Sequence, residues 1–168
     1  ALHTLRWTLL ENGETLDAGE ASFGIRKIEI DPKNGFRLNG KPMKLRGGCI
    51  HHDNAMLGAC AYPDAECRKI RRLKDAGYNA IRTAHNPPSS ALLTACDQIG
   101  MLVLDESFDM WRTGKNPMDY HLWFEDWWQR DTAAMVKRDR NHPCIYCWSI
   151  GNEIGEMLGT SNGAYWAR

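Results

Sequence analysis

Net charge is missing from this sequence. Lys and Arg together number 21, and so do Asp and Glu. The balance therefore gives no support for a nucleic acid or an anionic membrane as partner, since either favours a basic excess. Long apolar runs are missing too, and none approaches the roughly 18 residues a membrane-spanning helix needs. No G-x-G-x-x-G follows any strand-like run, which weakens a dinucleotide-binding reading. No signal peptide opens the chain, and a cytoplasmic location is expected. The chain begins at Ala1 rather than Met, and a longer protein is expected to contain it. Cysteines occur at 49, 60, 67, 96, 144 and 147, but only Cys144 and Cys147 form a Cys-x-x-Cys pair. That pair lies inside a strand-like run, where an odd offset sends side chains to opposite faces. Reduced, buried thiols are expected there rather than a zinc or redox site.

What is present is an ordinary globular composition. The 168 residues are 43% hydrophobic and 25% charged, enough for about one domain. Seven tryptophans are many for this length. Trp123, Trp127 and Trp128 fall near one predicted helix. Indole faces suit sugar rings, although core packing is the commoner use of aromatics.

Residues 1–24 read as short strands separated by turn signals such as Asn12-Gly13. They look like the last strands of a β-sandwich, too few to close one alone. Asn39-Gly40 marks a hairpin, because both turn positions need positive φ. A strand–helix alternation follows. Lys44 to Arg46 reads as a strand. A helix capped by Asp64 runs to Ala76, with Ile70, Leu73 and Lys74 on one face and Gly77 as its stop. Asn79 to Thr83 is the next strand, then a helix capped by Ser89 or Ser90 and ending at Gly100. Met101 to Glu106 is the third strand, Leu122 to Arg138 a long helix, and Cys144 to Ile150 the fourth strand. A further helix is expected near the end of the chain. Alternating strands and helices predict an α/β fold with a parallel sheet. Every strand ends in polar or charged side chains, as active sites of (β/α)8 barrels do. A whole barrel takes about 250 residues. The expected fold class is therefore the first half of a TIM barrel, about four βα units over residues 25–168, preceded by sandwich strands over 1–24.

The strand ends supply the candidate chemistry. Glu153 follows the fourth strand, where Gly151 is expected to allow the turn. It reads either as an acid held in apolar surroundings or as a helix-start residue facing the helix dipole. Arg82 and His85 end the second strand, with Pro87 and Pro88 stiffening the following loop. Arg82 is expected to pair with a carboxylate, and His85 to bind a hydroxyl. His51, His52 and Asp53 could suggest a metal, but adjacent histidines diverge on an extended backbone. Asp105 and Glu106 should point to opposite faces of the third strand, one of them into the barrel mouth.

These segments together resemble glycoside hydrolase family 2, which includes β-galactosidases and β-glucuronidases. The matching pieces are FGIRKIEI, LNGKPMKLRGGCIHHD, NAIRTAHNPPS, LVLDESFD and RDRNHPCIYCWSIGNE, five in order along essentially the whole chain. The resemblance implies a retaining exo-β-glycosidase, most similar to β-galactosidases, with β-glucuronidase or β-mannosidase as alternatives. It implies an immunoglobulin-like sandwich before the barrel and a β-galactoside substrate. A homo-oligomer is expected. It matches Glu153 to the general acid/base and Asn152 to the residue that hydrogen-bonds the sugar 2-hydroxyl. It matches His51 and His85 to histidines lining the sugar site, and Arg82 to the arginine supporting the nucleophile. Asp53, Asp105, Glu106, Trp111 and Trp148 are further candidates. The family nucleophile is a Glu on the seventh strand, which these residues do not reach; Glu156 lies too close to Glu153 to replace it. Magnesium-using β-galactosidases of the family carry Glu-x-His after the third strand. Here Met110, Trp111 and Arg112 stand there, which does not support magnesium; sodium has no support in the sequence either, and no cofactor is assigned. A metal-dependent barrel hydrolase built on His51, His52 and His85 is the alternative of another class, as is an inactive fragment.

Overall fold

The computed structural model describes residues 1–158. Two long strands, β1 (Leu2–Glu11) and β2 (Glu14–Gly24), form an antiparallel hairpin. Its turn, Asn12-Gly13, has φ of 51° and 87°, the left-handed pair that a two-residue hairpin loop requires. Three short antiparallel strands follow: β3 (Ile28–Asp31), β4 (Gly35–Leu38) and β5 (Lys41–Pro42). Asn39 and Gly40, at φ 52° and 74°, turn β4 into β5.

The rest alternates strictly. In chain order come β6 (Gly47–His51), α1 (Pro63–Asp75), β7 (Ala80–Ala84), α2 (Ser90–Ile99), β8 (Leu102–Glu106), α3 (His121–Asp139) and β9 (Ile145–Ser149). The four strands form one parallel sheet in the order β6-β7-β8-β9. Sequential parallel neighbours with a helix in each crossover are the repeating unit of a (β/α)8 barrel, and four such strands are present.

Two boundaries differ from the sequence expectation by more than one residue. The first barrel strand is Gly47–His51, not Lys44–Arg46. The Asn79 side chain takes up the Lys44 carbonyl at 2.9 Å and the Arg46 amide at 2.7 Å, so that segment is tied by a side chain instead of a strand ladder. Gly47 then lies so close to β7 that a Cβ would sit 2.2 Å from the Ala80 carbonyl oxygen. The second difference is the α1 cap. Tyr62 occupies the N-cap and Pro63 opens the helix, with Asp64 inside the first turn. Proline's fixed φ suits that first position, and Asp64 still faces the positive end of the helix. Ser89, not Ser90, caps α2, its side chain accepting from the Leu92 amide at 3.1 Å. The further helix expected near the chain end falls on residues outside those described.

The core lies between the sheet and its helices. Ile70 of α1, Leu92, Leu93 and Cys96 of α2, and Ile81, Val103 and Ile145 of the strands form one buried cluster. Each such aliphatic side chain contributes about 1.5–3 kcal/mol on burial. This packing fixes which face of each strand meets the helices. Alternation then turns Arg82 and Glu106 to the opposite face. The β1–β2 hairpin instead leaves Leu5, Trp7, Leu9, Leu10 and Leu16 exposed.

Candidate active site

Glu106 ends β8 and is completely buried. Arg82, from β7, approaches it side-on, Nε and Nη2 each donating to a different carboxylate oxygen at 2.8 Å. This is the two-pronged arrangement that a planar guanidinium and a carboxylate make best. His85 Nδ1 lies 2.7 Å from Oε1, and the Ser149 hydroxyl, from β9, donates to Oε2 at 2.6 Å. Three strand ends thus converge on one carboxylate. Partial burial disfavours the charge on Arg82, but its bonds to Glu106 outweigh this and hold its pKa above the ordinary value.

Arg82 also reaches the end of β9. Its Nη2 donates to Asn152 Oδ1 at 2.8 Å, and Asn152 Nδ2 donates to Asp109 Oδ1 at 2.9 Å. The Asn152 amide donates to the Phe108 carbonyl at 3.0 Å. Asn152 is therefore buried and clamped through side chain and backbone. Glu153 follows at φ 50°, a left-handed conformation uncommon for residues other than glycine and frequent at functional sites. Its side chain is 80% exposed, so its carboxylate projects from a fixed base.

Gly151 serves differently from the expectation, since the positive φ falls on Glu153. Gly151 is needed for close approach: a Cβ there would lie 2.5 Å from Ile154 Cδ1 and 3.0 Å from Trp111 Nε1. The same Trp111 nitrogen donates to the Ile150 carbonyl at 2.8 Å.

The other predicted residues divide. His51, at the end of β6, sets its ring edge-on to His85, centroids 5.3 Å apart, and so joins the cluster. His52 and Asp53 are exposed in the next loop, where the Asp53 carbonyl accepts from Lys69. Glu106 faces the cluster; Asp105 is buried on the opposite face, beside Asp139 of α3. Trp111 is buried with Phe108 and Phe124 and serves as core. Trp148 pairs in register with Asp105 while Ser149 pairs with Glu106, so alternation sets it on the face away from the cluster. Of the α3 tryptophans, Trp128 packs against that same aromatic core, whereas Trp123 and Trp127 are exposed. Glu156 is buried and accepts from the Thr113 amide at 2.7 Å.

Sequence reasoning missed Ser149, Asp109 and Lys115. The last two lie in the loop between β8 and α3, where no periodicity announces them. Lys115 Nζ donates to Asp109 Oδ1 at 2.7 Å, to the Asn152 carbonyl at 3.2 Å and to Glu153 Oε2 at 3.3 Å. Partial burial disfavours its charge, but the bonds to Asp109 and Glu153 outweigh this and raise its pKa. Asp109 is held below the usual carboxylate range, burial being overcome by its bonds from Lys115 and Asn152. A cavity of about 500 Å³ opens alongside, between His85, Asp109, Phe108, Tyr120, Met135 and Arg138.

Magnesium, which the family resemblance raises, does not fit the residues found here. Met110 and Trp111 are buried, and Arg112 pairs with Glu125 at 3.5 Å, so that position offers no oxygen or imidazole ligand. Hard cations need oxygen donors, and a lysine ammonium already contacts Glu153. Among the described residues, Asp97, His142 and Cys144 have ligand atoms within 4.8 Å of one another. They sit where the chain enters β9, at the other end of the strand from Glu153. His142 Nδ1 is 2.6 Å from Asp97 Oδ2, and the Cys144 amide donates to Oδ1 at 2.8 Å. Burial pushes the Cys144 thiol far up, so it is a protonated thiol in contacts that tie α2 to β9.

Residues 28–167 match the family model described as glycosyl hydrolases family 2, TIM barrel domain. The chain is 44% identical over 156 residues to the beta-galactosidase BoGH2A of Bacteroides ovatus, covering 93% of this chain and 18% of that protein. A crystal structure of a glycosyl hydrolase family 2 member from Bacteroides cellulosilyticus superposes with a TM-score of 0.88 at 56% identity, over 92% of this chain and 20% of that one. The beta-glucuronidase of Parabacteroides merdae gives a TM-score of 0.78 at 29% identity, over 98% of this chain and 20% of that one. The chain thus spans about a fifth of the length of these relatives. Matching sequence, matching fold and four consecutive βα units agree: the chain belongs to glycoside hydrolase family 2 and carries part of its TIM-barrel domain.

Proposed function

We propose that the protein containing this chain is a retaining exo-β-glycosidase, specifically a β-galactosidase, with Glu153 as its general acid/base. The observation that carries this reading is the clamped Asn152-Glu153 pair at the end of β9. Asn152 is immobilised by Arg82 and Asp109, while the Glu153 carboxyl projects outward. A retaining glycosidase needs such an acid to protonate the departing oxygen while a second carboxylate attacks the anomeric carbon. The same group then takes a proton from the water that breaks the glycosyl-enzyme. In this reading the attacking carboxylate is a Glu outside these 168 residues, on a later strand. Glu156 is pinned by Thr113, which argues against it as a substitute. Asn152 would hydrogen-bond the sugar 2-hydroxyl, and His51 and His85 would line the sugar site. Arg82 would support the nucleophile.

The β-galactosidase assignment rests on likeness to BoGH2A and on the HHDNAMLGA and FDMWRTGK segments. β-Glucuronidase is the second reading, favoured by the likeness to the Parabacteroides merdae enzyme. In this reading residues 1–24 complete an immunoglobulin-like sandwich and residues 25–168 form the N-terminal half of the barrel.

The test is Glu153→Ala in the full-length protein. Hydrolysis of aryl β-galactosides with poor leaving groups should fall by about 10²–10⁴-fold, the usual worth of a positioned general acid. Azide should partly restore turnover of activated aryl galactosides, by occupying the space of the missing base. Unchanged activity toward poor leaving groups would remove Glu153 from the mechanism.

A further inference from the structure

We propose that Lys115 is a positioning residue for the acid/base, a fixed cation of the protein's own that holds the Glu153 carboxyl at the mouth of the half-barrel. The inference rests on the reading of Glu153 as the acid/base. Glu153 has an exposed side chain on a left-handed backbone, and an exposed glutamate by itself samples several rotamers. Lys115 is placed to remove that freedom. Its ammonium donates to the Asn152 carbonyl, to the Glu153 carboxylate and to Asp109, which also accepts from the Asn152 side chain. Lys115 is itself 28% exposed, and its loop is anchored by the Lys115 and Asn116 amides, each donating to Asp119 Oδ2 at 2.7 Å. An ammonium has three donors, and here three acceptors share them.

Charge supports the same role. A lone lysine beside an acid would favour its ionised form and hinder proton donation. Asp109 accepts from Lys115 at 2.7 Å, closer than the 3.3 Å to Glu153. Asp109 therefore offsets part of that charge, and the Lys115–Asp109 pair as a whole brings no net charge to Glu153.

Leaving-group dependence separates positioning from a general structural effect. Departure of a poor leaving group needs a well-placed proton donor; departure of an activated phenolate does not. The experiment uses full-length wild type, Lys115→Met, Lys115→Gln, Lys115→Arg and Glu153→Gln. Each is assayed on an unactivated aryl β-galactoside and on a dinitrophenyl β-galactoside. Rates are expressed per active site, counted with a covalently trapping 2-fluoro-galactoside, so a misfolded fraction does not enter. Lys115→Met and Lys115→Gln should lose about 10–100-fold in kcat/KM on the poor substrate, the scale of a misplaced catalytic group. On the activated substrate they should lose less than about 3-fold, and Lys115→Arg should recover most of the difference. If Glu153→Gln shows the leaving-group split and the Lys115 variants do not, Lys115 has no positioning role and the acid/base reading stands. If Glu153→Gln shows no split, the acid/base reading fails and the role of Lys115 fails with it.

Discussion

At the end of β8 one carboxylate gathers four donors. Glu106 is buried, and Arg82, His85 and Ser149 satisfy both of its oxygens. A buried charge is tolerable only when paired and hydrogen-bonded in this way. Removing one partner leaves the other uncompensated, which typically costs 3–5 kcal/mol for a fully buried pair. Arg82 keeps 31% of its side chain exposed, which places the loss at the lower end. Glu106→Gln should therefore destabilise the full-length protein by about 3 kcal/mol. Urea denaturation followed by tryptophan fluorescence reads this as a lower midpoint. The variant should also weaken activity, because Arg82 links Glu106 to Asn152. The sequence named Arg82 as the partner of a carboxylate and Glu106 as a strand-end acid, since strand ends and charged residues are local features. It did not pair them.

The elements carry a second buried acid with a different consequence. Asp105 faces α3, where Asp139 is its neighbour and Arg138 holds Asp139 through Nε and Nη2 at 2.5 and 2.6 Å. Arg138 also donates to the Pro88 carbonyl at 2.7 Å, fastening α3 to the loop after β7. Burial, then the charge of Asp139, pushes Asp105 up to about 7, against weaker opposing fields from Arg138 and His142. The native state therefore keeps a proton that the unfolded chain, with an ordinary carboxyl, releases near pH 4. The stability this contributes is fully present below about pH 4 and is lost as pH rises through about 7. Its slope in that window is at most about 1.4 kcal/mol per pH unit. Asp105→Asn should flatten this part of the stability profile, measured by urea midpoints between pH 4 and 8. An unchanged slope in the variant would mean that Asp105 does not carry the proton. At this scale the sequence was informative. Helix periodicity, the Asn-Gly turns and the apolar strand runs located three of the four barrel strands to within one residue at each end. The Lys44–Arg46 expectation fails because the Asn79 side chain, 33 and 35 residues away, takes up the backbone of that segment.

For the whole molecule, the parallel sheet begins at β6 and ends at β9, with no further strand paired to either among the described residues. Unpaired strand edges are templates for pairing with another chain. The inner side of the sheet opens as a concavity of about 330 Å³ lined by Leu45, Cys49, Leu104 and Tyr146, and the β1–β2 hairpin adds exposed Leu and Trp. The 168-residue polypeptide produced by itself should therefore self-associate, seen by light scattering as a mass well above 19.1 kDa. A monodisperse monomer with cooperative unfolding would show that these surfaces are tolerated. The sequence by itself determined the alternation of strands and helices, the carboxylate at the end of the fourth strand and the five segments that resemble family 2. These are short-range patterns of hydrophobicity, turn residues and motif. Only the tertiary structure decided the partners: Arg82 with Glu106 and Asn152, 24 and 70 residues apart, and Lys115 with Glu153, 38 apart. Such pairings depend on which strand ends the sheet brings together and on how the loop after β8 folds back. Neither leaves a periodic trace along the chain.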